Sequence, residues 1–161
     1  MPPRWERGCV MVESTLSVSS FDALREAFAD YLSRRAKTAL EKARKLYGKD
    51  SDSYRLVATE FTDESDFWRQ LKIEVCDRAN QKFPETDAVV GFTVSVSSLA
   101  DLQQEFVDDL SRRAKQALAK ANKLSPTEAE PYRLVAMEFK DASAFWQRLK
   151  IVMRAAPAIK S

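Results

Sequence analysis

Apolar and polar positions follow the same course through this chain twice. From Ser17 the stretch SVSSFDALREAFADYLSRRAKTALEKARKL opens on alternating positions and passes into a long run with a period near 3.6. From Ser95 the stretch SVSSLADLQQEFVDDLSRRAKQALAKANKL repeats it, shifted by 78 residues. With that shift and no gap, residues 15–78 and 93–156 agree at 34 of 64 positions. One structural unit is written twice. The expected division is a first repeat over residues 4–79, a linker over residues 80–87 that contains Pro84, and a second repeat over residues 88–156.

Each copy begins as a strand. Val10, Val12, Leu16 and Val18 share one face, and Met11, Glu13, Thr15, Ser17 and Ser19 take the other. In the second copy Val90, Phe92, Val94 and Val96 alternate with Gly91, Thr93, Ser95 and Ser97. A period of two predicts a half-buried strand with its serine and threonine face toward water. The strand is long, so a bulge near Glu13 or Gly91 is expected. Ser19 with Asp22, and Ser98 with Asp101, read as capping boxes for the helix that follows. An anion bound at the helix N-terminus is the rival reading, and the acids in its first turns would repel one.

That helix is predicted over residues 20–46, with its counterpart 78 residues on. Its stripe is Phe21, Leu24, Phe28, Leu32, Ala36, Ala39, Ala43 and Leu46, matched by Leu99, Leu102, Phe106, Leu110, Ala114, Ala117, Ala121 and Leu124. The bulky half of each stripe gives way to alanine, which either admits a close neighbour such as a partner helix or the sheet or simply favours the helix. Polar, turn-rich residues 47–53 and 125–131 then lead to YRLVATEF at 54–61 and YRLVAMEF at 132–139. Both faces of these segments are largely apolar, which predicts an interior strand. Asp63 and Asp141 are placed to cap a short helix carrying Phe67, Trp68, Leu71 and Ile73, or Phe145, Trp146, Leu149 and Ile151. The predicted fold is α+β: tandem duplicated β-α-β-α units with pseudo-twofold symmetry, their long amphipathic helices packed on a β-sheet. A half of this size has a marginal core, so the two copies are expected to share one. Such a chain is the fused form of a homodimer, and either a monomer with pseudo-dimeric symmetry or a homo-oligomer is expected.

Composition narrows the chemistry. At 45% apolar and 31% charged residues the chain has an ordinary globular balance, and its net charge of +2 makes any basic character local. There is no histidine, which removes Ser–His–Asp and Cys–His activation and His-ligated metal sites. Gly8, Gly48 and Gly91 stand singly, so no glycine-rich phosphate loop is present. Cys9 and Cys76 are the only cysteines, too few for a disulfide framework or a structural zinc site. No cofactor, metal or catalytic residue is assigned. With no signal-peptide pattern and no membrane-length apolar span, an intracellular protein, cytoplasmic or nuclear, is expected.

Three groups of residues remain as candidates. Arg34, Arg35, Lys37, Lys42 and Lys45 recur as Arg112, Arg113, Lys115, Lys120 and Lys123, on the face opposite the alanine stripe and therefore expected in solvent. They are candidate nucleic-acid contacts, although acids at the start and bases at the end of a helix also suit its dipole. Trp68 and Trp146, each beside a phenylalanine, are candidate core or interface residues. Glu60 and Glu138 stand in apolar surroundings, where a buried carboxylate would make a general base or a salt bridge. The leading expectation is a non-enzymatic protein-interaction or assembly module, with a protein partner. The alternative is a nucleic-acid-binding protein, for RNA, using the basic helix faces. Third comes a small ligand-binding protein or enzyme with a pocket between the repeats.

Overall fold

A computed structural model describes residues 15–75, 89–90 and 93–153. Strand β1 (Thr15–Val18) runs into helix α1 (Phe21–Arg44), whose N-terminus is closed by Ser20: its Oγ accepts the Ala23 N–H at 2.9 Å. In the second copy Ser98 caps helix α3 (Leu99–Ala121) in the same way, accepting the Asp101 N–H at 3.1 Å. The first cap therefore falls on Ser20 and not on Ser19, one residue later than the capping-box reading placed it. Of the strand residues, Val18 is buried and Ser17 exposed, as the alternation requires. The strand residues before Thr15, the bulge sites at Glu13 and Gly91, both cysteines and the linker over residues 80–87 lie outside the described residues.

The second half of each unit differs from expectation. Residues 54–61 and 132–139 are not strands; they lie within helices α2 (Gly48–Gln70) and α4 (Pro126–Arg148). Residues 47–53 and 125–131, read as loops, supply mostly the first turns of those helices, and Asp63 and Asp141 are mid-helix. The physical reason is the spacing of what is buried. Val57, Phe61, Glu64 and Trp68, with Val135, Phe139, Ala142 and Trp146, recur at i, i+4, i+7 and i+11. The apolar runs belong to one helical face, seen through too short a window. In the second copy Ser125 caps α4, accepting the Glu128 N–H at 3.4 Å and donating to Glu128 Oε1 at 3.1 Å, with proline as the first helical residue.

Strand β2 (Lys72–Val75) follows α2, and its counterpart after α4 is β5 (Lys150–Met153). Ile73 and Ile151, expected on a short helix, are therefore strand residues, and each copy reads β-α-α-β. The strands pair across the copies. β1 lies parallel to β5, and β2 lies parallel to β4 (Thr93–Val96), with the two-residue β3 (Val89–Val90) antiparallel on the other edge of β4. Thr15 sits opposite Lys150, and Thr93 opposite Lys72, so one register is used twice with the copies exchanged. Among the described residues the chain is thus mostly helical, with four helices and small parallel strand pairs in place of a continuous sheet.

Within a copy the two helices run antiparallel, and their seam is made of small residues. Ser33 Oγ meets Ser65 Oγ at 2.8 Å, and Ser111 meets Ser143 at the same distance. Ser51 Oγ donates to the Ala43 carbonyl at 2.8 Å, so the alanine end of α1 faces the first turns of α2 and not the sheet. Arg25 donates to the Trp68 and Arg69 carbonyls, and Gln103 to those of Trp146 and Leu149, so that each α1-type helix caps the C-terminus of its hairpin partner.

The hairpins meet over a single hydrophobic cluster drawn from both copies. Phe28 stacks on its own counterpart Phe106, with ring centroids 3.8 Å apart, and Phe61 stacks on its counterpart Phe139 at 4.4 Å. Trp68 and Trp146 flank the first stack edge-on, each touching both phenylalanines. Parallel rings sandwiched between edge-on neighbours bring positive ring edges against negative faces, the favoured arrangement for aromatic clusters.

Candidate functional site

Four of the residues singled out above are structural ties between the copies. Arg35 on α1 reaches Glu138 on α4 at 2.5 Å, and Arg113 on α3 reaches Glu60 on α2 at 3.2 Å. Each guanidinium also lies over a phenylalanine of the second stack, Arg35 over Phe61 and Arg113 over Phe139. These arginines are half-buried, which corrects the expectation that the whole basic set faces solvent. The stripe opposite the alanines is wide enough that position 35 turns toward the neighbouring hairpin. Glu60 and Glu138 accordingly hold arginines of the other copy. Glu138 borders a recess of about 290 Å³ with Arg35, Thr38, Ala39, Lys42 and Tyr54.

The other eight bases, Arg34, Lys37, Lys42 and Lys45 with Arg112, Lys115, Lys120 and Lys123, are exposed. Lys42 sits over the Tyr54 ring at 5.4 Å and Lys120 over Tyr132 at 5.1 Å, contacts that fix them at the seam of each hairpin. Trp68 and Trp146 are buried in the aromatic cluster, where the two copies touch. Among the described residues no group of histidine, cysteine and carboxylate side chains is placed to hold a metal, and no helix is long and apolar enough to cross a membrane.

The two tryptophans sit in different polar company. Trp68 Nε1–H points at two carboxylates, Asp109 Oδ2 at 2.9 Å and Glu64 Oε2 at 3.2 Å. Arg113 Nε lies 3.1 Å from Glu64, and Arg112 reaches Asp109 at 2.9 Å. Burial pushes the Asp109 carboxyl above its ordinary value, and the two arginines pull it only part of the way back. In the other half Tyr31 occupies the position of Asp109 and Ala142 that of Glu64. Tyr31 stacks on Phe145 with centroids 5.1 Å apart and accepts from Arg35 through its hydroxyl at 3.2 Å. Burial pushes its phenol up as well, against the pull of Arg35. Trp146 Nε1 is buried and has no hydrogen-bond partner among the described residues.

A further feature escaped the repeat pattern. On the outer seam of the second hairpin, Ser111, Ala114, Lys115 and Leu118 of α3 face Arg133, Ala136, Met137 and Lys140 of α4 across a groove of about 460 Å³. Both rows follow the i, i+3, i+4, i+7 spacing that lines one side of a helix. Leu118 and Met137 are 47% and 52% exposed, high for side chains of this size. The signal available in the sequence was divergence between the copies: Met137 and Lys140 stand where the first copy has Thr59 and Thr62.

Compared with known proteins, the chain matches no family model, no curated protein and no solved structure.

Proposed function

We propose that this protein is a non-enzymatic interaction module: a fused, pseudo-twofold pair of β-α-α-β repeats that acts as a rigid scaffold and offers the outer face of its second hairpin to a protein partner. The observation that carries the reading is the exposed pair Leu118 and Met137 in its groove. Apolar side chains gathered in a concave, partly polar surface mark an interaction site more than a solvated one. The scaffold role is supported by the exchanged contacts, in which strand pairs, stacked phenylalanines and arginine–glutamate ties all join one copy to the other.

The test is retention of proteins from extract of the protein's own cells by the tagged full chain, before and after nuclease treatment. The expected result is nuclease-resistant retention by the parent that is lost in Leu118→Glu with Met137→Glu. Equal retention by parent and variant would remove this face from the function.

The eight exposed bases favour a second reading, binding of RNA along the helix faces. Acids such as Glu41, Asp50 and Asp52 lie among them, which weakens the local potential. Nuclease-sensitive retention, with a steep dependence of RNA affinity on salt, would put that reading first.

A further inference from the structure

The groove between α3 and α4 has a chemical character that narrows its partner. We propose that it docks a short, acidic, amphipathic helix of another protein; this rests on the interaction reading above and adds the identity of the docked segment.

Shape and length come first. Ser111, Ala114 and Ala136 are small and form the floor, while Leu118 and Met137 rise as walls. Two antiparallel helices with small residues at their seam leave a furrow into which a third helix lays its own ridge. The lining rows run from i to i+7, about 10 Å at 1.5 Å per residue, so the contact engages about two turns of the incoming helix. Methionine at the wall suits such an occupant, because its flexible thioether adapts to differently shaped apolar side chains.

Charge supplies the sign. The lining contains three cations, Lys115, Arg133 and Lys140, and no carboxylate. A helix seated on Leu118 and Met137 would bring its flanks against these bases, and complementary potential selects glutamate and aspartate there. Carboxylates begin on the far side of Met137. There Asp50 and Glu130 line a neighbouring hollow of about 420 Å³ that shares Arg133 and Met137 with the groove. The acidic flank of the occupant therefore lies toward Lys115 and Lys140.

The first copy provides the control. At the positions of Met137 and Lys140 it carries Thr59 and Thr62, so its matching seam has lost both a wall and a cation. Met137→Thr with Lys140→Thr installs residues that the corresponding helix α2 carries in the first hairpin, at positions exposed in both copies.

The probe is a synthetic peptide of about 15 residues with leucines at i, i+3, i+4 and i+7 and glutamates on the flanks. Binding to the intact chain is followed by fluorescence anisotropy, beside the same peptide with lysine for glutamate and a short single-stranded RNA. The acidic peptide is expected to bind the parent and to lose about tenfold or more in affinity for Met137→Thr/Lys140→Thr, with the lysine peptide at least as weak. Equal binding of the acidic peptide to parent and variant, or no binding at all, would overturn the proposal. So would RNA binding that the same two substitutions abolish. If the peptide fails while Leu118→Glu/Met137→Glu still abolishes retention of cellular protein, the interaction reading stands and only the acidic partner falls. If both fail, the groove is not an interaction site.

Discussion

Trp68 and Trp146 are the same residue in the two copies, and the cavities that hold them are not the same. Around Trp68 the indole N–H meets Asp109 and Glu64, with Arg112 and Arg113 behind them. Around Trp146 the corresponding places hold Tyr31 and Ala142, and the indole N–H is left without a partner among the described residues. The apolar framework has been kept in duplicate: Phe28 with Phe106, Phe61 with Phe139, and the two tryptophans. The polar groups around the two tryptophans have not. Apolar packing needs matching volume from both copies at once, so a change on one side leaves a void or an overlap. A buried polar group needs only its local partners, and one half can exchange a carboxylate pair for a tyrosine stack without disturbing the other. The two solutions differ in cost, since a buried unpaired N–H forfeits about 1–3 kcal/mol.

The likeness of the halves is tested first where it is greatest. Phe28→Ala and Phe106→Ala each remove one ring of the central stack and are expected to cost about 3–5 kcal/mol. The double variant should cost less than the sum, because the second truncation removes contacts already lost. Urea unfolding measures all three. A difference of more than about 1 kcal/mol between the single variants would break the equivalence of the halves.

The difference between the halves is sharpened by removing each indole N–H. Trp68→Phe removes a donor shared by two buried carboxylates and leaves each with its arginine alone, whereas Trp146→Phe removes a donor that has no acceptor. The first should therefore be the more destabilising, by about 1–3 kcal/mol, in the same unfolding assay. Equal losses would mean that the carboxylates contribute nothing through Trp68.

Next come the exchanged ion pairs. Arg35→Gln leaves half-buried Glu138 without its arginine and should cost about 1–2 kcal/mol, and Arg113→Gln, which strips Glu60 and the buried Glu64 together, should cost at least as much. Arg34→Gln, fully on the surface, should stay within about 0.5 kcal/mol of the parent. Thermal melts that place Arg35→Gln beside Arg34→Gln would contradict a tying role. The same comparison separates structure from nucleic-acid contact, because Arg35 and Arg113 are unsuitable probes of an exposed basic face.

The smallest expected effect is on pH dependence. Asp109 has its pKa raised from 3.8 by burial, so the folded chain holds that proton more tightly than the unfolded chain. Its contribution to stability is complete below 3.8 and is lost as pH rises through the raised folded value. Asp109→Asn keeps an acceptor for Trp68 without the titration. The advantage of parent over variant should therefore shrink as pH rises across that window. A difference independent of pH would show that Asp109 does not titrate there. Tyr31 at the matching position carries no charge in this range, so the effect belongs to one half alone.

The repetition of the residues, the long first helix with its graded stripe, the Ser98 cap of its second copy and the inward-facing Val18, Val94 and Val96 were all legible in the residues themselves. Each depends on neighbours within a few positions, where a period of 3.6 or 2.0 or a side-chain cap acts locally. The second helix was less plain. Its serine- and aspartate-rich first turns in one copy have no side-chain cap, although Ser125, Pro126 and Glu128 announced the start in the other. Read in eight-residue pieces, its buried face looked like a strand with two apolar sides, and that error displaced the true strands to its end. The candidate site divided in the same way. The bases were visible as charges, but which of them faced solvent and which reached the other copy depended on how the hairpins cross. The parallel strand partners, the stacking of Phe28 on Phe106 and the reach of Asp109 to Trp68 join residues about 20 to 135 positions apart. No local period carries such information, because it arises only when two amphipathic faces close on one another and exclude water.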